Sequence, residues 1–553
     1  MSPEKSGESV AAEEEPSSKV AHPWWALVAL LIGVSMIIID GSLVNVLLPD
    51  MVDDLGLNAT ETQWVNSIYS LLFAALLITI GLLADRFGRR LLFLMGVVIF
   101  VVGSLASGTA QDPSFLIAAR AVQAVGGAMM LPSSIAVINV LFTGRDRAVA
   151  FGLWGAIFAG AAALGPLLGG FLAEYFSWRW AFWVNIPVGA ISAMMVLRFV
   201  PENKGPKIAG LDPVGVVLSA SGLGLIVYGL IEGQQFGWWT AIAEFDLGPI
   251  AIPVGGLSVV PIALVTGCVL LLLLVTWERH QAALGKASLL DLSLFRIRRF
   301  GFGNVVALVV SLGEFGVLFV LPLWVQAVHG LNPLETGGIL AFLAAGAVVS
   351  GGLARKVSGL LGPTRVVRLG MILEVIGILG IGFTLGVDRN PWWLVIPLVI
   401  YGLGVGFASA QLTNVVLADV PPLKSGQASA VTSTFRQVGS ALGTAIIGAI
   451  LFTGLGTILN NTLADEAGIS DEDREKIVNE VQSTAGQAIR GLEEIPGLNV
   501  VVKDAKESYT DAARDTAWVA AGLVFLGLLV SFGLPRDRKE DYEEPPTTKT
   551  TGA

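Results

Sequence analysis

The chain has 553 residues, of which 54% are hydrophobic and only 14% charged, with a mean hydropathy of +0.73. A soluble protein must keep a charged surface, so this composition excludes a soluble globular class and requires that the apolar excess face lipid. The net charge of −10 comes largely from the terminal tails and one long loop, gives no basic face, and argues against nucleic acid as a partner.

Residues 1–22 are acidic, small and polar, the opposite of a basic signal-peptide start, so residues 1–23 are expected to form a disordered cytoplasmic tail. Fourteen stretches then approach the roughly 20 mostly apolar residues that a helix needs to cross the hydrocarbon layer. They run near 24–48, 64–83, 91–110, 114–141, 148–172, 180–200, 211–231, 250–276, 301–326, 335–353, 366–386, 391–417, 426–455 and 514–534. Three prolines in the run from Leu247 to Thr276 allow the eighth to begin late. The single cysteine, Cys268, lies in that apolar run; it leaves no internal disulfide or multi-cysteine metal site and is read as packing. Trp24, Trp25, Trp392 and Trp393 stand at span ends, where interfacial anchoring is the default.

With both termini inside, about 24 of the 34 Lys and Arg fall on one side and about 8 on the other, which orients the chain in the cell membrane by the positive-inside rule. The inner loops carry Arg86, Arg89, Arg90, Arg145, Arg147, Arg296, Arg298, Arg299, Arg355, Lys356, Arg365 and Arg368. Interruptions at 201–212 and in the amphipathic stretch 277–300 divide the chain. An all-α integral membrane protein is expected, with a first six-helix bundle over 24–200, an inserted two-helix linker over 201–300 and a second six-helix bundle over 301–534. The outer loop 456–513 of the second bundle is expected to form a helical cap, with Ser470 capping a helix and Ile477, Val481, Ile489 and Leu492 forming an apolar stripe. Residues 535–553 read as a second cytoplasmic tail.

The most specific signal is the short turn between spans two and three, Gly81-Leu-Leu-Ala-Asp85-Arg86-Phe-Gly88-Arg89-Arg90. Gly81 and Gly88 permit close approach and a tight reversal, and Asp85 and Arg89 at i,i+4 can pair if the turn is helical. A plain inner loop would explain the arginines but not the glycines and the acid in this order. In span five, Ala161, Gly165 and Gly169 recur every four residues and leave a groove for a neighbouring helix, while Pro166 frees a carbonyl and kinks the span. Ordinary small-residue packing would read the same way.

The turn resembles the signature loop of the major facilitator superfamily. Further stretches narrow the resemblance to its fourteen-span drug:proton antiporters: Asp40-Gly-Ser-Leu-Val-Asn45-Val-Leu-Leu-Pro49, Arg120-Ala-Val-Gln123-Ala-Val-Gly126-Gly127, Gly152 with Ala161, Gly165-Pro166 and Gly169-Gly170, Ser177 to Gly189, and Arg436-Gln437-Val-Gly439. The resemblance implies the major facilitator fold, alternating access, and a role for the span-five motif in antiport. Ala161 stands where the family motif usually has glycine. The second-half counterpart of the loop, Gly352-Leu-Ala-Arg355-Lys356, lacks the acid, which leaves a charge lock in that half in doubt.

Ionisable residues within spans are functional candidates because the bilayer makes them costly. Asp40 lies about 13 Å and Arg120 about 10 Å from the outer ends of their spans. An ion pair follows if spans one and four adjoin, as they do in the resembled fold; orienting the bundle is the plainer role for such a pair. Glu314, near the middle of span nine, shares a polar face with Asn304 and Ser311. A carboxyl in a partly dry cavity can hold a proton near neutral pH and release it when the site opens. Proton coupling is therefore assigned to Asp40, Glu314 and Arg120. Glu374 is read as nearer the inner end of its span and able to snorkel. Asn45, Gln123, Asn304, Ser311, Gln411, Asn414, Arg436 and Gln437 are candidates to line a substrate cavity, or simply to bond between helices.

The expected function is proton-coupled export of amphipathic or cationic drugs and toxic compounds, with lipid or lipoconjugate export as the alternative. No cofactor is expected, the proton gradient being the driving force. Partners are the small molecules or lipids carried, protons and the surrounding membrane lipids, with the chain acting as a monomer. An enzyme is disfavoured, because His22, His280 and His329 show no zinc spacing with Glu and no Gly-x-Ser-x-Gly elbow occurs.

Overall fold

Long apolar runs bounded by Pro, Asn and Gly dictate helices that start and stop at the membrane faces. In the computed structural model the described residues are 22–142, 144–202, 212–246, 251–286, 291–421, 424–464, 466, 469–493, 495–535 and 537. Nearly all of both expected tails, most of the 201–212 interruption, and the side chains of Asp85, Arg145, Arg147 and Arg355 lie outside this description.

In chain order the helices are α1 (Pro23–Leu55), α2 (Ala59–Phe87), α3 (Arg89–Gly108), α4 (Pro113–Leu141), α5 (Gly144–Tyr175), α6 (Trp180–Trp183), α7 (Asn185–Phe199), α8 (Pro213–Phe236) and α9 (Val259–Ala283). They continue with α10 (Arg298–His329), α11 (Pro333–Leu361), α12 (Pro363–Thr384), α13 (Val395–Leu417), α14 (Ser425–Ala464), α15 (Asp471–Ser483), α16 (Ala488–Glu493) and α17 (Asn499–Ser531). Among the described residues, twelve helices are long and apolar enough to cross a membrane. The fold is all-α apart from two-residue strands β1 (Phe245–Asp246) and β2 (Ala251–Ile252), an antiparallel pair with Phe245 opposite Ile252.

Helices α1–α7 pack as one bundle and α10–α14 with α17 as a second. α8 and α9 pair with each other, and α8 leans on both α2 and α14. A hydrogen bond of 2.9 Å from Trp64 Nε1 on α2 to Glu232 Oε1 ties α8 in place. The eighth span begins late, at Val259, because the β hairpin precedes it. Cys268 was expected in packing, but it is exposed on α9, whose apolar residues largely face outward.

The two bundles repeat one another. Gly56, Asn58, Glu61 and Gly88 have counterparts 274 positions on in Gly330, Asn332, Glu335 and Gly362. Gly56 and Gly330 end the first helices with φ of 65°. Asn58 and Glu61 close a capping box on α2, as Asn332 and Glu335 do on α11, satisfying N-terminal N–H groups that the bilayer would leave orphaned. Gly88 and Gly362, at φ of 124° and 87°, make the sharp reversals into α3 and α12, a backbone region that only glycine enters cheaply.

The side where α1 begins and α17 ends is called the terminal side, and the opposite one the far side. The bundles meet through α5 and α11, α2 and α14, and α1 and α10. On the far side, Gln326 Nε2 on α10 donates to Val46 O on α1 at 3.0 Å. Deeper in the seam, the hydroxyls of Ser70 on α2 and Ser440 on α14 lie 3.0 Å apart. The segment between α14 and α17 folds over the far side. Ser470 Oγ caps α15 by accepting from Asp473 N, and Val478, Val481, Ile489 and Leu492 are buried beneath it. Arg490 clamps this cap to the end of α10, donating from Nε and Nη2 to Gln326 O at 3.0 and 2.8 Å.

Candidate functional site

In the first bundle, Asp40 on α1 and Arg120 on α4 are fully buried and joined by an Nη1 to Oδ2 contact of 2.5 Å. Arg120 Nη1 also donates to Gln123 Oε1 at 2.6 Å, and its Nε reaches Val65 O on α2 at 3.4 Å. Gln123 and Asp40 are linked in turn, Gln123 Nε2 donating to Asp40 Oδ1 at 2.7 Å and to Ser104 Oγ at 2.8 Å. Asn185 Nδ2 on α7 completes the cluster, donating to Asp40 Oδ1 at 3.1 Å and to Ser104 Oγ at 2.8 Å. The guanidinium also lies 4.6 Å from the Tyr69 ring centre and 5.7 Å from that of Phe182. Six helices, α1–α4, α6 and α7, therefore converge on this cluster, built around one carboxylate and one guanidinium. Their desolvation is offset by charge-assisted hydrogen bonds on nearly every polar atom, the condition under which a buried pair survives in a bundle.

Asn45 lies one turn further along α1. It donates to Gly41 O at 3.3 Å and accepts from Asn66 Nδ2 at 2.7 Å. It neighbours the cluster without joining it.

The second bundle holds a looser polar set. Glu314 is half-buried, and its Oε2 has no hydrogen-bond partner among the described residues. Arg436 on α14 acts on it electrostatically and reaches Ser409 Oγ with Nη2 at 3.5 Å. Asn304 and Ser311 are buried on α10, but the Asn304 amide donates to Phe300 O of its own helix. Gln411 is buried on α13, Asn414 beside it is exposed, and Gln437 is half-buried. Glu374 departs from expectation. It stands about 16 Å from the start of α12 and is fully buried, so it does not snorkel; neither of its oxygens has a partner among the described residues.

The signature turn is not one continuous helix. α2 ends at Phe87, Gly88 reverses the chain, and Arg89 already opens α3. Gly81 lies within α2 before this break, and Asp85's side chain is outside the described part. Arg89 Nη1 donates to Ala136 O on α4 at 3.2 Å, Arg90 Nη2 to Leu197 O on α7 at 2.7 Å, and Arg86 is exposed beside Phe87. The α3 N-terminus is capped by Glu202, which follows α7 and accepts from Arg90 N at 3.3 Å and Leu91 N at 3.2 Å. In the second bundle Asp537, beyond α17, caps α12 in the same way, accepting from Thr364 N at 3.1 Å and from the Thr364 hydroxyl. Glu202 and Asp537 thus hold equivalent places, each following the last helix of its bundle.

The span-five residues divide between two neighbours. Gly165 and Gly169 face α1, where an added Cβ would meet Ser42 and Leu43. Gly170 and Pro166 face α11: a Cβ on Gly170 would lie 2.5 Å from Pro333 O, and one on Gly337 would lie 2.3 Å from Pro166 O. Ala161 is buried, and Gly152 lies in α5 outside the part whose packing is described.

Two repeated helical bundles meeting along a seam, with ionisable clusters inside each, define a two-bundle membrane-embedded transporter. The chain belongs to the Major Facilitator Superfamily, whose pattern matches residues 30–444. It is similar to the probable actinorhodin transporter of Streptomyces coelicolor, with 29% identity covering 94% of this chain and 93% of that one. It is similar also to the multidrug resistance protein Stp of Mycobacterium tuberculosis, at 31% identity and 92% of both chains. In fold it resembles the inward-facing, unoccupied crystal structure of a bacterial homologue of the human lysosomal transporter Spinster, with a TM-score of 0.62 at 16% identity over 95% of this chain and 99% of that one.

Ser104, Asn185, Glu202, Glu374 and Asp537 escaped the sequence reading of function. Asn185 lay in a quoted stretch without a role, and Glu374 was placed too near a membrane face. The 274-residue offset would have located Gly362, and with it the second capped turn.

Proposed function

We propose that the chain is a fourteen-span proton-coupled antiporter that exports amphipathic or cationic drugs by alternating access. The spans are the twelve apolar helices together with α2 and α5, 29 and 32 residues long. Both termini lie in the cytoplasm, so the terminal side is the inner face of the cell membrane, and a single chain is the working unit. Relatives named for transport of actinorhodin and for multidrug resistance support the substrate class.

The observation that carries proton coupling is the Asp40 carboxylate, fully buried and bonded to Arg120, Gln123 and Asn185. In this conformation the guanidinium and two amides satisfy it as an anion. As the bundles rock, a rearrangement within the first bundle moves α1 against α4 and α7, which loosens these bonds and lets water deliver a proton. Protonation then cancels the attraction to Arg120 and permits the return. Glu314, half-buried and without a partner on Oε2, is the second acid of the cycle, and its exchange of a proton for a cationic substrate couples the two movements.

The test uses purified protein in liposomes with ethidium as the probe. Wild type is expected to accumulate ethidium when a proton gradient is imposed and not when the gradient is collapsed; Asp40→Asn is expected to lose the gradient-driven part while remaining folded. Equal accumulation by Asp40→Asn and wild type would overturn the role of Asp40.

A further inference from the structure

Glu374 is a carboxyl deep in the second bundle with no hydrogen bond to either oxygen among the described residues. Its position is built into the packing. Gly370, Glu374 and Gly377 share the face of α12 that meets α13, and the helices approach so closely there that a Cβ on Gly404 would lie 2.5 Å from Glu374 N and 2.8 Å from its Cγ. A Cβ on Gly377 would likewise strike Tyr401, at 2.5 Å from its Cβ. Tyr401 is fully buried on α13, lies within electrostatic reach of Glu374, and its hydroxyl is also without a partner. Two orphaned groups of complementary chemistry thus share one tightly packed helix interface. An ionised carboxylate left unpaired in such a place is far costlier than a neutral acid.

We propose that Glu374, on the same helix interface as Tyr401, is a further proton-binding site of the transporter, set in the second bundle in addition to Asp40 and Glu314. The step is the making and breaking of one O–H bond: the carboxylate takes a proton from water and returns it to water, and no other reactant is needed. Charge around the site is sparse and one-sided. Glu314 on α10 and Arg436 on α14 act on Glu374 across the bundle. Of the helices packed on α12, α13 carries no charged residue, α11 carries Glu335, Arg355 and Lys356 only towards its ends, and α17 has none beyond Asp515. On α12 itself Arg365 and Arg368 stand at the start. The position of Arg436 is therefore the variable that sets occupancy. Held off, as here, it leaves the acid neutral; brought towards α12 by movement of α14, it favours release.

The inference rests on the proton-coupled reading above, and the experiment separates the two. Infrared spectra of the full chain in lipid nanodiscs at neutral pH are expected to contain the carbonyl band of a protonated buried carboxyl. That band is absent in Glu374→Gln and shifted in Tyr401→Phe. In liposomes under a proton gradient, Glu374→Gln is expected to exchange ethidium without accumulating it, its accumulation falling to the wild-type level with the gradient collapsed. An unchanged band in Glu374→Gln, or full gradient-driven accumulation by that variant, overturns the proposal. Failure of wild type itself to respond to the gradient overturns the proton-coupled reading instead, and the infrared band then decides by itself whether Glu374 binds a proton.

Discussion

Asp40 and Glu314 occupy the same place in the two bundles, each fifteen residues before the end of its first helix, at Leu55 and His329. Their surroundings differ. Asp40 is tied to Arg120 and two amides, whereas Glu314 is half-buried and its Oε2 has no partner among the described residues. One repeated position thus carries a locked acid in one bundle and a loosely held one in the other, the asymmetry on which the proposed cycle draws.

The lock has a stability signature. Arg120→Ala leaves a buried carboxylate without its cation, a change that costs about 3–5 kcal/mol. Adding Asp40→Asn to that variant removes the stranded charge and is expected to recover much of the loss. Thermal unfolding of the single and double variants measures this coupling; a double variant no more stable than Arg120→Ala would contradict it.

Glu202 and Asp537 are expected to act independently, because each caps the third helix of a different bundle. Replacing either by Ala should cost about 1 kcal/mol, typical of a lost N-terminal cap. The losses should add to within about 0.5 kcal/mol in the double variant. Melting temperatures of the three proteins provide the check.

The far-side seam depends on Gly170, whose missing Cβ leaves room for Pro333 O. Gly170→Val forces α5 from α11, and overpacking of this kind costs about 1–3 kcal/mol in the closed state alone. A shift of even 1 kcal/mol raises the far-side-open population about fivefold. The readout is thiol labelling of Gln63→Cys, a buried position at the far-side start of α2, in a Cys268→Ser background. Unaltered labelling would show that this contact does not hold the seam.

Outside the spans, Lys424 Nζ lies 2.6 Å from Asp291 Oδ2 and joins the approach to α10 to the start of α14. Burial pushes the Asp291 carboxyl up, but hydrogen bonds from Lys424 and Ser293 outweigh it and hold the group below the ordinary value of 3.8. A depressed folded value means that the pair stabilises fully above that ordinary value and loses its effect as pH falls through the lowered one. Because both side chains are partly exposed, the contribution is at most about 1 kcal/mol. Wild type should therefore exceed Asp291→Asn in stability by that margin at neutral pH, with the difference shrinking below the ordinary value and vanishing below the lowered one.

What the sequence by itself determined is the part of this protein ruled by local chemistry. Partition of an apolar run into lipid depends on that run alone, so the helices, their approximate ends and the reversing Gly88 at the signature turn were legible, and so was the polarity of Asp40, Arg120 and Glu314 against their surroundings. The tertiary structure decided what joins residues distant in the chain. Asn185 reaches Asp40 across 145 positions, Glu202 reaches Arg90 across 112, and Asp537 reaches Thr364 across 173. It also decided that Glu374 faces α13, because a helix can turn a carboxyl towards lipid, water or a neighbour with no change in its own hydrophobic pattern. Only the packing of α12 on α13, made close by Gly370, Gly377 and Gly404, removes the first two choices.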